Sequence, residues 1–175
     1  EDSGLLWKHW DFRTDRAETR RGRKLVVSTI CTVGNYEYAQ YWYFHLDGMI
    51  EFEMKATGVI NTVGCEPGKP GKYGREVSPG VLGQIHQHIF CARLDMTVDG
   101  DRNSVVESNS YEDPEGEGNP YGNNFYEEET VLKTESAAAR RQDAETQRSW
   151  KVINSNKLNY TGTPVGYRLD ATNCI

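Results

Sequence analysis

Residues 25–38, LVVSTICTVGNYEY, decide the fold. The nine residues LVVSTICTV are rich in β-branched side chains and end at Gly34-Asn35. That composition, bounded by a turn pair, is the signature of a buried strand. Beyond it, YAQYWYFHL (38–46) leads through Asp47-Gly48 into MIEFEMKATGVI, where Ile50, Phe52 and Met54 alternate with Glu51, Glu53 and Lys55. A period of two sets an apolar face against a charged one, as a half-buried strand requires. Asp-Gly supplies the positive φ of a tight two-residue turn, so a hairpin is predicted about residues 47 and 48.

Working outward, LLWKHW (5–10) reads as a short strand and DFRTDRAETRRGRK (11–24) as a polar loop. The glycine and proline cluster from Gly64 to Gly83 marks a long loop, after which IHQHIFCARLDMTV (85–98) resumes strand character. Residues 99–130 are mostly acid, Asn and Gly and read as surface excursions. Only SAAARRQDAETQRSW (136–150) has helical composition, with three successive alanines but a thin apolar stripe. No internal repeat is visible. The sum is an all-β chain with long polar connections.

A length of 175 residues suits one ordinary domain with a real core. The net charge is −6, and the basic residues are interspersed with acids except for Arg20, Arg21, Arg23 and Lys24, so no nucleic-acid partner is expected. The longest apolar runs are far shorter than a membrane span, and the opening Glu-Asp-Ser-Gly does not read as a leader; no membrane association is expected. Cys31, Cys65, Cys91 and Cys174 lack CxxC spacing and read as free thiols. The sequon Asn159-Tyr160-Thr161 carries little weight by itself. A chain that starts without Met and stops at Thr-Asn-Cys-Ile reads as a segment of something longer.

Two constellations carry metal chemistry. On a strand His86 and His88 point the same way and Gln87 points away, which sets two imidazoles side by side for one ion. Imidazole suits copper, zinc, iron and nickel, and spacing alone leaves open a plain pair of hydrogen-bonded histidines. A cupin-type site would follow its HxH with a glutamate, and Ile89 to Asp95 contain none. The stretch LDMTVDGDRN (94–103) imitates a calcium loop, but the third and twelfth positions counted from Asp95 are Thr97 and Val106, so it is no EF-hand. A polar turn or a single weak cation site at Asp95 remains. Tyr36, between Asn35 and Glu37, would by itself be a strand-edge aromatic.

The frame around Tyr36 is more specific than its parts. Leu25, Val26 and Val27, then Thr32, then Asn35, Tyr36, Glu37 and Tyr38 follow the pattern of three aliphatics, four free positions, Ser/Thr, two free positions, Asn, Tyr, an acid, and Tyr or Asn. This resembles the cofactor signature of the copper amine oxidases. HQHIFCARLDMTVDG is similar to that family's copper strand, and EDSGLLWKH, YWYFHLDGMIEFEMKATG, NPYGNNFY and RSWKVINSNKLN are similar to its flanking blocks in the same order. Almost the whole chain is covered, and the fungal branch is the most similar in flavour.

The resemblance implies that residues 1–175 are a segment, truncated at both ends, of the large β-sandwich catalytic domain. It implies oxidative deamination of primary amines with O2 to aldehyde, ammonia and hydrogen peroxide, by a homodimer that is peroxisomal or cytoplasmic if the fungal likeness holds. Tyr36 would be the precursor of topaquinone, His86 and His88 two of three copper ligands, and Asn35 a restraint on the quinone ring. Val33, Gly34, Glu37 and Tyr38 would line the substrate end of the pocket. Asp95 with the Met96 carbonyl would form a secondary calcium or manganese site, with Thr97 where many members carry another aspartate. The third histidine and the catalytic aspartate would lie outside this chain. The alternative is a non-catalytic β-rich metal-binding or interaction module that retains the frame.

Overall fold

A computed structural model describes residues 1–171, so Cys174 lies outside the described residues. The chain divides into two compact units, residues 1–89 and the part from Phe90 onward. Among the described residues all regular structure is β except one 3-10 turn, Ser136–Ala138.

The first unit begins with an antiparallel meander of β1 (Asp2–Asp11), β2 (Arg16–Val33), β3 (Tyr36–His45) and β4 (Ile50–Gly58). Most of the polar stretch 11–24, expected as a loop, is strand. Its charges serve as cross-strand partners: the Arg21 guanidinium meets the Asp2 carboxylate at 2.7 and 2.9 Å, and Arg20 lies 5.4 Å over the Trp7 ring. The tight two-residue hairpin turn is Gly34-Asn35, where Val33 pairs with Tyr36 and Gly34 takes a φ of +61°. Asp47-Gly48 instead lies inside the four-residue loop 46–49, with the Met49 N–H donating to Asp47 Oδ1 at 3.0 Å.

Strand β2 forms as expected but is not buried; Leu25, Val27 and Ile30 are exposed. Leu25 and Val27 belong to an apolar sheet surface on which Val27, Trp42 and Phe52 align across three strands, while Ile30, of opposite parity, falls on the other face. The opposite face carries the charges over aromatic rings. Tyr43 is buried, its hydroxyl donates to Glu53 at 2.7 Å, and Lys24 Nζ lies 3.8 Å from its ring centroid.

The glycine-rich stretch 64–83 is not all loop. It contributes β6 (Gly74–Ser78) and most of β7 (Val81–Gln84), which with β5 (Thr62–Gly64) form a small sheet in the order β5-β7-β6. Strand pairing stops at Gln84, so the strand expected over 85–98 is absent: residues 85–97 have no ladder partner among the described residues. Extended sequence character needs a neighbouring strand to become a strand.

The second unit is one antiparallel sheet in the order β11-β10-β8-β9, from β8 (Ser104–Glu112), β9 (Phe125–Leu132), β10 (Ser149–Leu158) and β11 (Pro164–Leu169). Residues 99–130 thus hold two strands where only surface excursions were expected. The misreading has a physical source, because the interior here is largely polar. Val98, Val106 and Val152 are buried together with Glu107, Ser108, Asn109, Ser149 and Asn154. Asn154 is satisfied locally, as burial demands: its Nδ2 donates to the Val98 and Asp99 carbonyls at 2.9 and 3.0 Å.

The helix read from 136–150 reduces to the 3-10 turn. The thin apolar stripe gives a helix little to bury, and the segment is tied to β8 by polar contacts instead. Thr146 Oγ1 and Arg148 Nε both donate to Asn109 Oδ1 at 2.9 Å. Buried Glu107 has Arg148 Nε at 3.5 Å from Oε1 and Arg140 Nε at 3.3 Å from Oε2. Oε2 accepts no hydrogen bond, so the Arg140 contact is Coulombic only.

Candidate functional site

Tyr36 is the first residue of β3, held between two strands: it pairs with Val33 on β2 and with Gly58 on β4. Gly58 is required there. A Cβ on it would lie 2.3 Å from the Asn35 carbonyl oxygen and 2.8 Å from Tyr36 Cα, and its φ is +113°. With no side chain at 58, β4 closes onto the hairpin and the Val59 N–H donates to the Asn35 carbonyl at 2.8 Å.

Alternation along β3 sets Tyr36 and Tyr38 on one face, with ring centroids 6.4 Å apart. Glu37 takes the other face, where Thr32 Oγ1 donates to its carboxylate at 2.8 Å. Fifty residues on, His86 and His88 approach the two tyrosines. Tyr36 Oη is 2.8 Å from His86 Nε2, and Tyr38 Oη is 2.7 Å from His88 Nδ1. The imidazole centroids are 5.0 Å apart, and the Tyr36 centroid is 5.7 Å from that of His86 and 4.8 Å from that of His88.

The direction of the Tyr36 hydrogen bonds follows from the partners. His86 Nδ1 lies 2.8 Å from the Gln84 carbonyl, which can only accept, so Nδ1 carries the proton and Nε2 is an acceptor. Tyr36 therefore donates to Nε2 and in turn accepts the Asn61 N–H at 3.3 Å. A backbone carbonyl fixing the tautomer is the usual outer support of a metal-binding histidine.

The donor set fits a copper ion. Both histidines have Nδ1 engaged, His86 by Gln84 and His88 by Tyr38, so Nε2 is the nitrogen each would offer a metal; on His86 the metal would take the place of the Tyr36 hydroxyl proton. Two imidazoles beside a phenol suit a borderline transition ion and not magnesium or calcium. No group of three or more His, Cys, Asp and Glu poised for a metal occurs among the described residues.

Of the other expected site residues, Val33, Gly34 and Asn35 form the end of β2 and the turn beside Tyr36 and are exposed. Asp95 and Met96 belong to the second unit, on the unpaired stretch 85–97, with Asp95 exposed and Met96 half-buried. Sequence reading missed three contributors. Gly58 had a signal, a glycine closing an alternating strand. Asn61 and Gln84 act through backbone atoms, which leave no trace in side-chain patterns.

Comparison with known proteins places this chain in a family. The copper amine oxidase enzyme domain matches residues 1–175. A histamine oxidase of Arthrobacter globiformis is 50% identical over 169 residues, covering 97% of this chain and 25% of the relative. A fungal relative, copper amine oxidase 1 of Schizosaccharomyces pombe, is 45% identical, with 97% of this chain and 25% of the relative covered. The crystal structure of a copper-containing benzylamine oxidase from Hansenula polymorpha superposes with a TM-score of 0.81 at 35% identity, over 96% of this chain and 26% of that one. The all-β architecture of the described residues of this chain agrees with the class read from the sequence. The chain spans about a quarter of the length of the relatives it matches. On a match over its whole length, this chain belongs to the copper amine oxidase family.

Proposed function

We propose that this chain carries the cofactor and two of the copper ligands of a primary-amine oxidase. The whole protein would deaminate primary amines with O2 to aldehyde, ammonia and hydrogen peroxide. One observation supports this above others: the Tyr36 hydroxyl meets His86 Nε2 at 2.8 Å from fifty residues away, beside His88. Copper bound by His86 and His88 would supply oxygen activation beside the Tyr36 ring, and topaquinone formed from Tyr36 the carbonyl that takes the amine.

The chain's own residues do the rest. The Gln84 carbonyl holds the His86 tautomer, the Asn61 N–H holds the phenol oxygen, and Gly58 lets β4 clamp the backbone of Tyr36. Asn35 restrains the ring, and Val33, Gly34, Glu37 and Tyr38 border the substrate end. Calcium or manganese at Asp95 and the Met96 carbonyl is proposed on the resemblance alone, and elemental analysis of the purified protein decides it.

The test is to add Cu(II) and oxygen to the metal-free protein and follow quinone absorbance together with the mass of the Tyr36 peptide. An unmodified Tyr36 with copper bound would sink the enzyme reading and favour a non-catalytic module. With two histidines and no third ligand grouped among the described residues, the 175-residue chain alone, read as a segment of the catalytic domain truncated at both ends, is expected not to turn over amines. Peroxide release by it would overturn that. The whole protein is proposed to be a homodimer, checked by sedimentation. A peroxisomal or cytoplasmic location is proposed with it, since a primary amine oxidase of Pichia angusta and a diamine oxidase of tobacco are named peroxisomal. No described helix is long and apolar enough to cross a membrane.

A further inference from the structure

We infer that Tyr38 is a positioning residue for His88: its phenol oxygen engages Nδ1 and so reserves Nε2 for the metal. The inference rests on reading His86 and His88 as copper ligands. Residues 85–97 have no strand partner among the described residues, so no ladder orients the two imidazoles; side-chain and carbonyl tethers must do it. For His86 the tether is the Gln84 carbonyl on Nδ1 at 2.8 Å. For His88 the equivalent place is taken by Tyr38 Oη, 2.7 Å from Nδ1. The two histidines are thus anchored through the same ring nitrogen by different oxygen partners.

Tyr38 can do this because of where it sits. Two residues after Tyr36 on β3, it shares the face that meets the histidines, as His88 is two residues after His86. With His88 assigned the tautomer in which Nδ1–H donates to the phenol oxygen, the Nε2 lone pair is left for a cation. Removing an outer partner of this kind typically weakens metal binding about 10- to 100-fold. This duty differs from lining the substrate end, because it acts on the ligand and not on the amine.

The experiment uses the full-length protein, stripped of metal, with Cu(II) as the probe. Tyr38→Phe deletes one oxygen and keeps the ring. By chelator competition it is expected to bind Cu(II) about 10- to 100-fold more weakly than wild type, and the electron paramagnetic resonance spectrum of the bound ion is expected to change. In a His88→Ala background the same substitution should cost nothing further, since the residue it positions is gone. Wild-type affinity and spectrum in Tyr38→Phe would overturn the inference. So would an equal loss in the His88→Ala background, or weaker binding with an unchanged spectrum and a lowered thermal midpoint of the metal-free protein, either of which marks a merely structural role. Should His86→Ala and His88→Ala both leave copper affinity unchanged, the ligand reading itself fails, which separates the two.

Discussion

Replacing Gly58 by alanine tests whether the strand clamp on Tyr36 matters. The added Cβ would stand 2.3 Å from the Asn35 carbonyl oxygen, 2.8 Å from Tyr36 Cα and 3.0 Å from the Glu37 nitrogen, all backbone atoms that no rotamer change can clear. Restoring ordinary contact requires the hairpin tip or β4 to retreat by about 1 Å, at an overpacking cost of about 1–3 kcal/mol. The φ of +113° adds about 1–3 kcal/mol for an L side chain. A retreat of that size also carries the Tyr36 hydroxyl off its 2.8 Å contact with His86, and a misplacement of about 1 Å can slow chemistry about 100-fold. The assay is the rate at which the Tyr36 peptide gains oxygen after Cu(II) is added to the metal-free protein. Gly48→Ala is the control. Its φ is +89°, but a Cβ there meets nothing within 4 Å, so it should lose stability without slowing Tyr36. Equal rates in Gly58→Ala and wild type would refute the reasoning, as would an equal slowing by Gly48→Ala.

Three further expectations concern stability. The Arg21 guanidinium, and after it the Gly4 N–H, hold the Asp2 carboxyl down at about 2 against an ordinary 3.8. A depressed carboxyl stabilises above its unfolded pKa, so this contribution is complete above about pH 4 and fades as pH falls through 2. Amide exchange in β1 should rise over that window, and Asp2→Asn should remove the pH dependence. Asn154→Ala strips hydrogen bonds from the Val98 and Asp99 carbonyls inside the second unit and should cost about 2–3 kcal/mol in urea unfolding; a change under about 0.5 kcal/mol would contradict the buried geometry. Glu107→Ala leaves Arg140 and Arg148 without their buried carboxylate and should cost about 3 kcal/mol. Limited proteolysis should then cut first within 136–148, and an unchanged cleavage pattern would count against the tie between that segment and β8.

Strand-forming sequence was easiest to read where side chains alternate by chemistry. Ile50 to Lys55 announced β4, and LVVSTICTV announced β2, because β-branching and period two are local properties. Burial was harder to read, since it depends on what covers a face: Leu25, Val27 and Ile30 are apolar and exposed, while Ser108, Asn109 and Asn154 are polar and buried. The second unit hid β8 for that reason. Its interior is held by amide and hydroxyl groups bonded to one another and to backbone, which read as loop composition. At the site, the residue types were legible and their contacts were not. No pattern says that the Gln84 carbonyl meets His86, or that Tyr38 faces His88 and Glu37 faces Thr32.

The two halves of the site are held by opposite means, and this explains which residues it tolerates. Tyr36 gains its precision from backbone: a two-residue turn on one side, a glycine-enforced close approach on the other, and paired strands on both. Its hydroxyl is held by His86 and the Asn61 N–H. The histidines have the reverse arrangement, with no ladder under them among the described residues and each ring held at Nδ1 by a specific oxygen partner. A metal site assembled this way can adjust its ligands without disturbing the hairpin, while the hairpin keeps the phenol from following them. Substitutions at Gly58 and at Tyr38 should therefore fail differently: the first displaces the residue to be modified, and the second loosens a ligand around an undisplaced Tyr36.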